Sequence, residues 1–247
     1  MRLKRWFDIA CAGGVLLLCW PVLLGFALAI WLGDRHSPLY RAKRVGCGGH
    51  VFVMLKLRSM RINADRTGVS STAGDDPRIT AVGRLVRRCK LDELTQMWNV
   101  LKGDMSVVGP RPQVAADAAL YTIEERRMLN LRPGITDLAS IVFADEGTIL
   151  HGSSDPDKRY NDLIRPWKSR LALLYVDHRT LPADLRIVGL TALALISRPR
   201  ALARVQAMLR AWGADELLCR MAARQEPLLA YPPPGAEEAA RTTGGAA

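Results

Sequence analysis

Residues 9–32 contain no formally charged side chain in 24 consecutive positions. An apolar run of that length is long enough to cross a hydrocarbon core of roughly 30 Å as a helix, so it limits the chain to membrane-associated arrangements or a secretory leader. The leader reading has Arg2, Lys4 and Arg5 as a basic flank and Ala27-Leu28-Ala29 as a mock cleavage site. Against it, the run exceeds the usual apolar core of a signal peptide, roughly 7–15 residues.

Three local features favour a helix that enters the membrane and returns on the same side. Arg2, Lys4 and Arg5 precede the run, while Arg35, Arg41, Lys43 and Arg44 follow it, so a straight span would strand one basic cluster outside. Pro21 sits mid-run, where it removes a backbone donor and bends a helix, leaving two arms of about 18 Å, each too short to cross. Asp8 stands at the membrane entry beside Lys4 and Arg5, as a carboxylate that needs a cationic partner. A kinked spanning helix is the open alternative.

Beyond the run, charge narrows the partners. Lys and Arg number 35 against 24 Asp and Glu, for a net charge of +11, which selects anionic partners such as phospholipid, nucleoside diphosphate or nucleic acid. The five cysteines are scattered and form no CxxC, so neither a disulfide framework nor a zinc site is indicated, and a reducing, cytosol-facing location is expected.

The sequence predicts an α+β, mostly helical, monotopic membrane protein. Its parts are a re-entrant membrane helix hairpin, a small β-hairpin and interfacial amphipathic helices. Residues 1–34 form the membrane segment, 35–200 the main domain, which the family resemblance given below makes catalytic, and 201–247 a C-terminal extension with a disordered tail from about residue 226. Turn residues Val45-Gly46-Cys47-Gly48-Gly49-His50 separate two short strands. Residues 62–77 read as a polar loop. Helices are expected over 79–89, 91–101, 115–130, 167–180 and 184–197. In the second, Leu94, Met97, Trp98 and Leu101 fall on one face. Residues 107–112 read as a Gly/Pro-broken connector and Arg132-Pro133-Gly134 as a turn. The 184–197 helix is apolar enough for the membrane surface or for the core.

The chemistry-bearing constellation is Asp92-Glu93, at the start of a predicted helix, preceded by Arg84, Arg87, Arg88 and Lys90. Carboxylates at a helix N-terminus commonly serve as caps or complement the dipole. A carboxylate can equally attack phosphorus to give an acyl phosphate, provided cations neutralise the phosphates, and Arg87 is the best-placed clamp. A hard divalent cation such as Mg²⁺, held by Asp92 and donor phosphate, would suit that chemistry.

Several motifs together resemble the bacterial sugar transferase family of small monotopic phosphoglycosyl transferases. They are Lys4-Arg5-Trp6-Phe7-Asp8 with the Pro-broken helix, Lys56-Leu57-Arg58-Ser59-Met60, Asp76-Pro77-Arg78-Ile79-Thr80 and Leu91-Asp92-Glu93-Leu94. They continue with Trp98-Asn99-Val100-Leu101-Lys102-Gly103-Asp104-Met105-Ser106, Val108-Gly109-Pro110-Arg111-Pro112 and Arg132-Pro133-Gly134-Ile135-Thr136. The resemblance implies a Mg²⁺-dependent ping-pong transfer of a sugar 1-phosphate from a UDP-sugar to undecaprenyl phosphate, releasing UMP. It places the enzyme at the cytoplasmic face of the bacterial inner membrane, in surface glycoconjugate assembly, with a homodimer allowed. By motif position Asp92 is the nucleophile and metal ligand, Glu93 its acidic partner, and Arg87 a phosphate contact. Lys56, Arg58, Arg111 and Arg132 lie in site-associated motifs, although Lys56 and Arg58 on a strand could also be solvated surface cations. Arg5, Asp8 and Pro21 belong to the membrane hairpin.

The chain departs from the family pattern at Trp20, where relatives often have Ser; at Thr95, where Pro is usual; at Asp137, where Gly is common; and over residues 141–160. Two other classes compete: a non-catalytic, membrane-anchored basic binding protein, and a UDP-sugar glycosyltransferase that releases UDP. Nucleic acid is not expected as a partner, because an aromatic content of 6% gives few stacking platforms.

Overall fold

The structure, a computed structural model, describes residues 2–64 and 76–236. Helix α1 (Arg2–Asp34) is one unbroken helix of 33 residues that passes through Pro21. The division into two arms expected at Pro21 is therefore not seen. The bond that Pro21 forfeits would fall on the Leu17 carbonyl, and Leu17 and Leu18 are 77% and 80% exposed, so no protein group covers that stretch.

Both ends of α1 are tied to the same body. Near its start, Arg5 donates to the Val100 and Leu101 carbonyls at 2.5 and 2.7 Å. Asp8, 2% exposed, accepts from Ser106 Oγ and the Val107 amide, each at 3.0 Å. Its cation is Lys4, at 3.4 Å, and not Arg5, whose charge caps carbonyls instead. Toward the other end, Ile30 packs with Leu57 and Val86, and Asp34 receives the Arg58 guanidinium.

The expected β-hairpin forms from β1 (Leu39–Val45) and β2 (Val51–Leu57), antiparallel with Leu39 opposite Leu57 and Val45 opposite Val51. Gly48 and Gly49 take φ of 69° and 79° in the turn, a conformation that costs glycine little. Directly opposed residues share a face, so Arg44, Ala42 and Tyr40 line up with Phe52, Met54 and Lys56. Ala42 and Met54 are buried, and their neighbours Arg44 and Lys56 are carried on the same side.

After α2 (Ala81–Arg88), capped by Thr80 Oγ1 accepting from the Gly83 amide at 2.9 Å, the expected helix over 91–101 is divided. It becomes α3 (Leu91–Leu94) and α4 (Met97–Lys102). Thr95 Oγ1 donates to the carbonyls of both Asp92 and Leu55 at 3.1 Å, and the Gln96 and Trp98 amides bond three residues back. The chain tightens there into a 3₁₀ turn. Asn99 then fastens α4 to β2 by donating to the Val53 carbonyl at 2.7 Å and accepting from the Leu55 amide at 3.0 Å. Met97 is buried while Trp98 is 54% exposed, so the apolar face predicted for this helix divides between core and surface.

The connector and turn predicted around residues 107–112 and 132–134 contain short strands. They are β3 (Ser106–Val108) and β4 (Gly134–Thr136), paired in parallel. Their glycines allow the approach: a Cβ on Gly134 would lie 2.1 Å from the Gly109 amide nitrogen. The helix expected over 115–130 is likewise two pieces, α5 (Ala115–Ala119) and a 3₁₀ segment (Glu125–Asn130). A reciprocal capping box starts the second piece, with the Thr122 amide donating to Glu125 Oε2 and the Glu125 amide to Thr122 Oγ1.

The remaining helices are α6 (Leu138–Val142), α7 (Glu146–Leu150), α8 (Pro156–Leu163), α9 (Arg165–His178), α10 (Leu181–Ile196), α11 (Arg198–Ala211) and α12 (Glu216–Ala223). Asp137 is the side-chain cap of α6, accepting from the Ser140 amide at 2.7 Å. Leu202, Val205 and Leu209 of α11 and Met221 of α12 share one core with Leu171 of α9 and Ile187 of α10, so the segment from 201 packs into the catalytic body. In α10, Ile187 and Leu190 are buried, while Leu185, Leu195 and Ile196 are 53%, 74% and 84% exposed. Lys4 reaches across to Asp184 of α10 at 2.8 Å, and Tyr175 donates to the same carboxylate at 2.6 Å.

The disordered tail expected from about residue 226 is corrected as far as residue 236. Trp167 Nε1 donates to the Leu229 carbonyl at 2.8 Å, Tyr231 stacks on Trp167 at 4.9 Å, and Arg170 donates to the Pro232 carbonyl at 2.8 Å. Apolar and hydrogen-bonding partners on α9 hold this Pro-rich strap in place. The rest of that tail, and residues 65–75 of the expected polar loop, lie outside the described residues.

Candidate active site

Four elements converge on the acid pair. α3 presents Asp92 and Glu93, α2 brings Arg87 near its C-terminus, β2 carries Lys56, and the turn after β3 supplies Arg111, while Arg44 of β1 adds its charge around Lys56 and Arg111. Lys90 precedes α3 in a left-handed conformation, φ 54°, and occupies the cap position without a side-chain cap bond. Asp92 lies in the first turn of the helix, where its carboxylate engages its own backbone amide.

The two carboxylates are held differently. Arg111 donates through Nη2 to Glu93 Oε1 at 2.5 Å and through Nη1 to Glu93 Oε2 at 3.2 Å, and Nη1 also reaches the Ile135 carbonyl at 2.9 Å. Burial works against the Glu93 charge, but the facing Arg111 charge and its paired hydrogen bonds outweigh it and hold the carboxyl at about 2. Glu93 in turn keeps Arg111 firmly protonated. Among the described residues, no side chain hydrogen-bonds the Asp92 carboxylate. Burial pushes Asp92 above the ordinary carboxylate value, Glu93 adds to that rise, and Lys56 and Arg87 oppose it. Lys56 is pulled down by burial, against the attraction of Glu93 and Asp92. One carboxylate is thus fixed and already paired, and the other is an available oxygen nucleophile facing two cations.

Of the cations expected from sequence, Arg87, Lys56 and Arg111 gather at the pair. Arg58 does not, because its guanidinium is taken up by Asp34 and by the Ser37 carbonyl at 2.8 Å, at the far end of β2. Arg132 is exposed, and among the described residues its guanidinium makes no hydrogen bond or ion pair; its backbone carbonyl packs against Gly109 instead. Arg5 and Asp8 serve the α1 attachment described above, whereas Pro21 is exposed within that helix.

Sequence reasoning missed a second polar group beside Arg111. Lys168 of α9 forms an ion pair with Glu146 of α7, and its ammonium lies 5.1 Å from the centre of the Tyr160 ring on α8. The charge of Glu146 reaches Arg111, and Gln113 contacts the Tyr160 hydroxyl. No local pattern in residues 141–168 announces this grouping, which arises only from helix packing.

No cluster of three or more His, Cys, Asp or Glu forms a metal cage among the described residues. Mg²⁺ characteristically takes one or two carboxylates and completes its shell with phosphate and water, and Asp92 is the carboxylate free to serve.

An apolar N-terminal helix tied to an α+β body, with an acid pair set among cations, defines a membrane-associated enzyme that handles phosphates. Residues 1–198 match the family model described as bacterial sugar transferase, and the chain belongs to that family. It is 36% identical over 203 residues to a UDP-glucose:undecaprenyl-phosphate glucose-1-phosphate transferase of Caulobacter vibrioides, covering 80% of this chain and 71% of that one. It is 34% identical over 214 residues to an undecaprenyl-phosphate galactose phosphotransferase of Salmonella typhimurium, covering 81% and 41%. With the galactosyl transferase CpsE of Streptococcus agalactiae it shares 32% identity over 199 residues, covering 76% and 41%. The chain therefore spans less than half the length of the latter two relatives.

Proposed function

We propose that this chain transfers a sugar 1-phosphate from a UDP-sugar to undecaprenyl phosphate, with Asp92 carrying the phosphosugar between donor and acceptor. The observation that carries this reading is the split of the acid pair: Glu93 is locked by Arg111, while Asp92 is free of side-chain hydrogen bonds beside Lys56 and Arg87. Family membership and the names of the relatives support the same donor and acceptor classes.

In this mechanism an Asp92 oxygen attacks the phosphorus bonded to the sugar, and the bond from that phosphorus to the bridging oxygen breaks, so UMP leaves with both electrons. A phosphate oxygen of the polyprenol then attacks the same phosphorus, freeing Asp92 and giving the polyprenol diphosphate sugar. Lys56 and Arg87 lower the cost of bringing an anion to an anionic diphosphate. Bound Mg²⁺ would neutralise the diphosphate and hold UMP as a leaving group. Arg111, oriented by Glu93, presents a fixed guanidinium beside the reacting centre.

The membrane arrangement we propose is re-entrant, and the places where the two ends of α1 attach support it. Because Arg5 near its start and Asp34 at its end both bind the same body, a straight span would have to break one attachment. Insertion and return from the cytoplasmic face would keep both and leave the basic flanks on one side, and it requires a bend at Pro21 that the unbroken α1 does not show. The test is product identity: nanodisc-held protein with Mg²⁺, UDP-glucose or UDP-galactose, and undecaprenyl phosphate should release UMP. Release of UDP would instead mark transfer of the sugar alone.

A further inference from the structure

The cluster on α7, α8 and α9 has no part in the phosphate chemistry just described, and its composition differs from that of the Asp92 side. Lys56, Arg87 and Arg111 suit phosphate oxygens. Glu146 does not, because a carboxylate beside a diphosphate is repelled by it. Its Oε2 is held by Lys168, which fixes the carboxylate plane, while Oε1 has no hydrogen-bond partner among the described residues. With side chains 31% and 18% exposed, Glu146 and Lys168 are walled by protein yet reachable. Tyr160 adds a ring and a hydroxyl, and Gln113 an amide. A fixed acceptor, an ammonium, a phenol and an amide are groups that satisfy the closely spaced hydroxyls of a neutral sugar ring.

Position fits the same occupant. The transferred sugar is bonded to the phosphorus that Asp92 attacks, so its ring must lie within one phosphate of Asp92. Arg111 links the two groups: it is paired with Glu93, and the Glu146 charge reaches it. We propose that Glu146, Lys168, Tyr160 and Gln113 form a subsite for sugar-ring hydroxyls of the nucleotide-sugar donor, with Glu146 Oε1 as the hydroxyl acceptor. This rests on the transferase reading above. Two rings of the donor carry such hydroxyls, the transferred hexose and the ribose.

The subsite also explains a feature of the chain's C-terminal part, from the last residue of the family match at 198 onward. Asp145, next to Glu146, is gripped by Arg198 at 2.7 Å and by Arg224 at 3.1 Å. Trp167, next to Lys168, is gripped by Leu229 and Tyr231. Each member of the Glu146–Lys168 pair is thus set by a neighbour that the C-terminal segment holds, an arrangement that fixes the pair's geometry without touching the donor.

The experiment measures kcat/KM for UMP release by full-length protein in nanodiscs, with Mg²⁺ and undecaprenyl phosphate. The donors are UDP-glucose, UDP-galactose and their 2′-deoxyribose counterparts, and the variants are Glu146→Gln and Tyr160→Phe. Loss of a charged hydrogen bond to one hydroxyl should lower kcat/KM about 10- to 100-fold for Glu146→Gln. If the hydroxyl is that at C4 of the hexose, the one at which glucose and galactose differ, the loss differs between the two donors and their ratio changes. If it is the ribose, the loss is equal for both hexoses and disappears with the deoxyribose donors. Unchanged activity overturns the proposal. Tyr160→Phe leaves the Glu146–Lys168 pair in place, so a shift in its donor ratios cannot come from a collapsed fold, and melting curves check Glu146→Gln. UMP release by the wild type with unchanged activity in both variants sinks this subsite alone. Absence of UMP from the wild type with all four donors sinks the transferase reading and the subsite with it.

Discussion

Arg111 spans both carboxylate oxygens of Glu93, at 2.5 and 3.2 Å, while its neighbour Asp92 receives no side-chain hydrogen bond among the described residues. Adjacent acids of nearly equal chemistry are thereby given opposite tasks, and their substitutions should behave oppositely. Glu93→Gln leaves the Arg111 charge without its partner, a loss on the order of 2 kcal/mol for a pair that keeps some solvent contact. In a chain of this size that lowers Tm by about 4–8 °C. Asp92→Asn removes a carboxylate that burial already disfavours, so Tm should hold or rise while UMP release is abolished. Differential scanning calorimetry on the two variants checks the pair.

Glu93 also gives the fold an acid limit. Its folded value of about 2 lies below the ordinary glutamate value, so its contribution is fully present above that ordinary value and fades as pH falls through about 2. Glu93→Gln should therefore flatten the acid limb of the stability curve measured by denaturant titration between neutral pH and pH 2.

Catalysis has a different acid limb. Asp92 must be ionised to attack, and burial raises it, so kcat/KM should fall on acidification at a pH above that of an ordinary carboxylate. Lys56 and Arg87 both oppose that rise. Lys56→Met and Arg87→Gln should each move the limb to still higher pH, a displacement that pH–rate profiles would detect even where kcat drops.

The attachment of α1 predicts a topology. In a chain whose five native cysteines are replaced by serine, Leu3→Cys and His36→Cys should both react with an impermeant maleimide from the cytoplasmic side of inverted vesicles, and neither from the periplasmic side. Labelling of the two from opposite sides would establish a span and require that the Arg5 or Asp34 contact be broken.

The strap over α9 predicts a remote effect. Ending the chain at residue 225 leaves Trp167 Nε1 buried without the Leu229 carbonyl, a cost of about 1–3 kcal/mol. It also removes Tyr231 from Trp167, beside Lys168. Tm should fall, and KM for the donor should rise more than kcat falls, since Asp92 is untouched by the strap.

What could be read from the sequence follows the range of the interaction responsible. The β-hairpin was legible because alternation and the Gly48-Gly49 turn are local signals. The capping box at Thr122 and Glu125 was equally local, and it marks the interruption that a single helix over 115–130 overlooks. The break at Thr95 was hidden, since one of the two carbonyls it engages, that of Leu55, comes from another element. Strands β3 and β4 are three residues each, too short for periodicity, and only the close approach of Gly109 and Gly134 hints at them. In the site, Asp92, Glu93, Arg87 and Arg111 stood out through their motifs. Arg58 shares a motif with Lys56, but the strand carries the two to different neighbours, and nothing in that motif points to Asp34. Glu146, Tyr160 and Lys168 meet only when α7, α8 and α9 pack, and so carried no signal at all.

The central claim is that Asp92 holds the phosphosugar, and intact-protein and peptide mass spectrometry test it directly. Protein in nanodiscs would be incubated with Mg²⁺ and a UDP-sugar in the absence of undecaprenyl phosphate. The account predicts a hexose-phosphate adduct on the peptide containing Asp92, one UMP per adduct, none in Asp92→Asn, and discharge on adding undecaprenyl phosphate. UMP formed without an adduct only when the lipid is present, or an adduct that persists in Asp92→Asn, would contradict it.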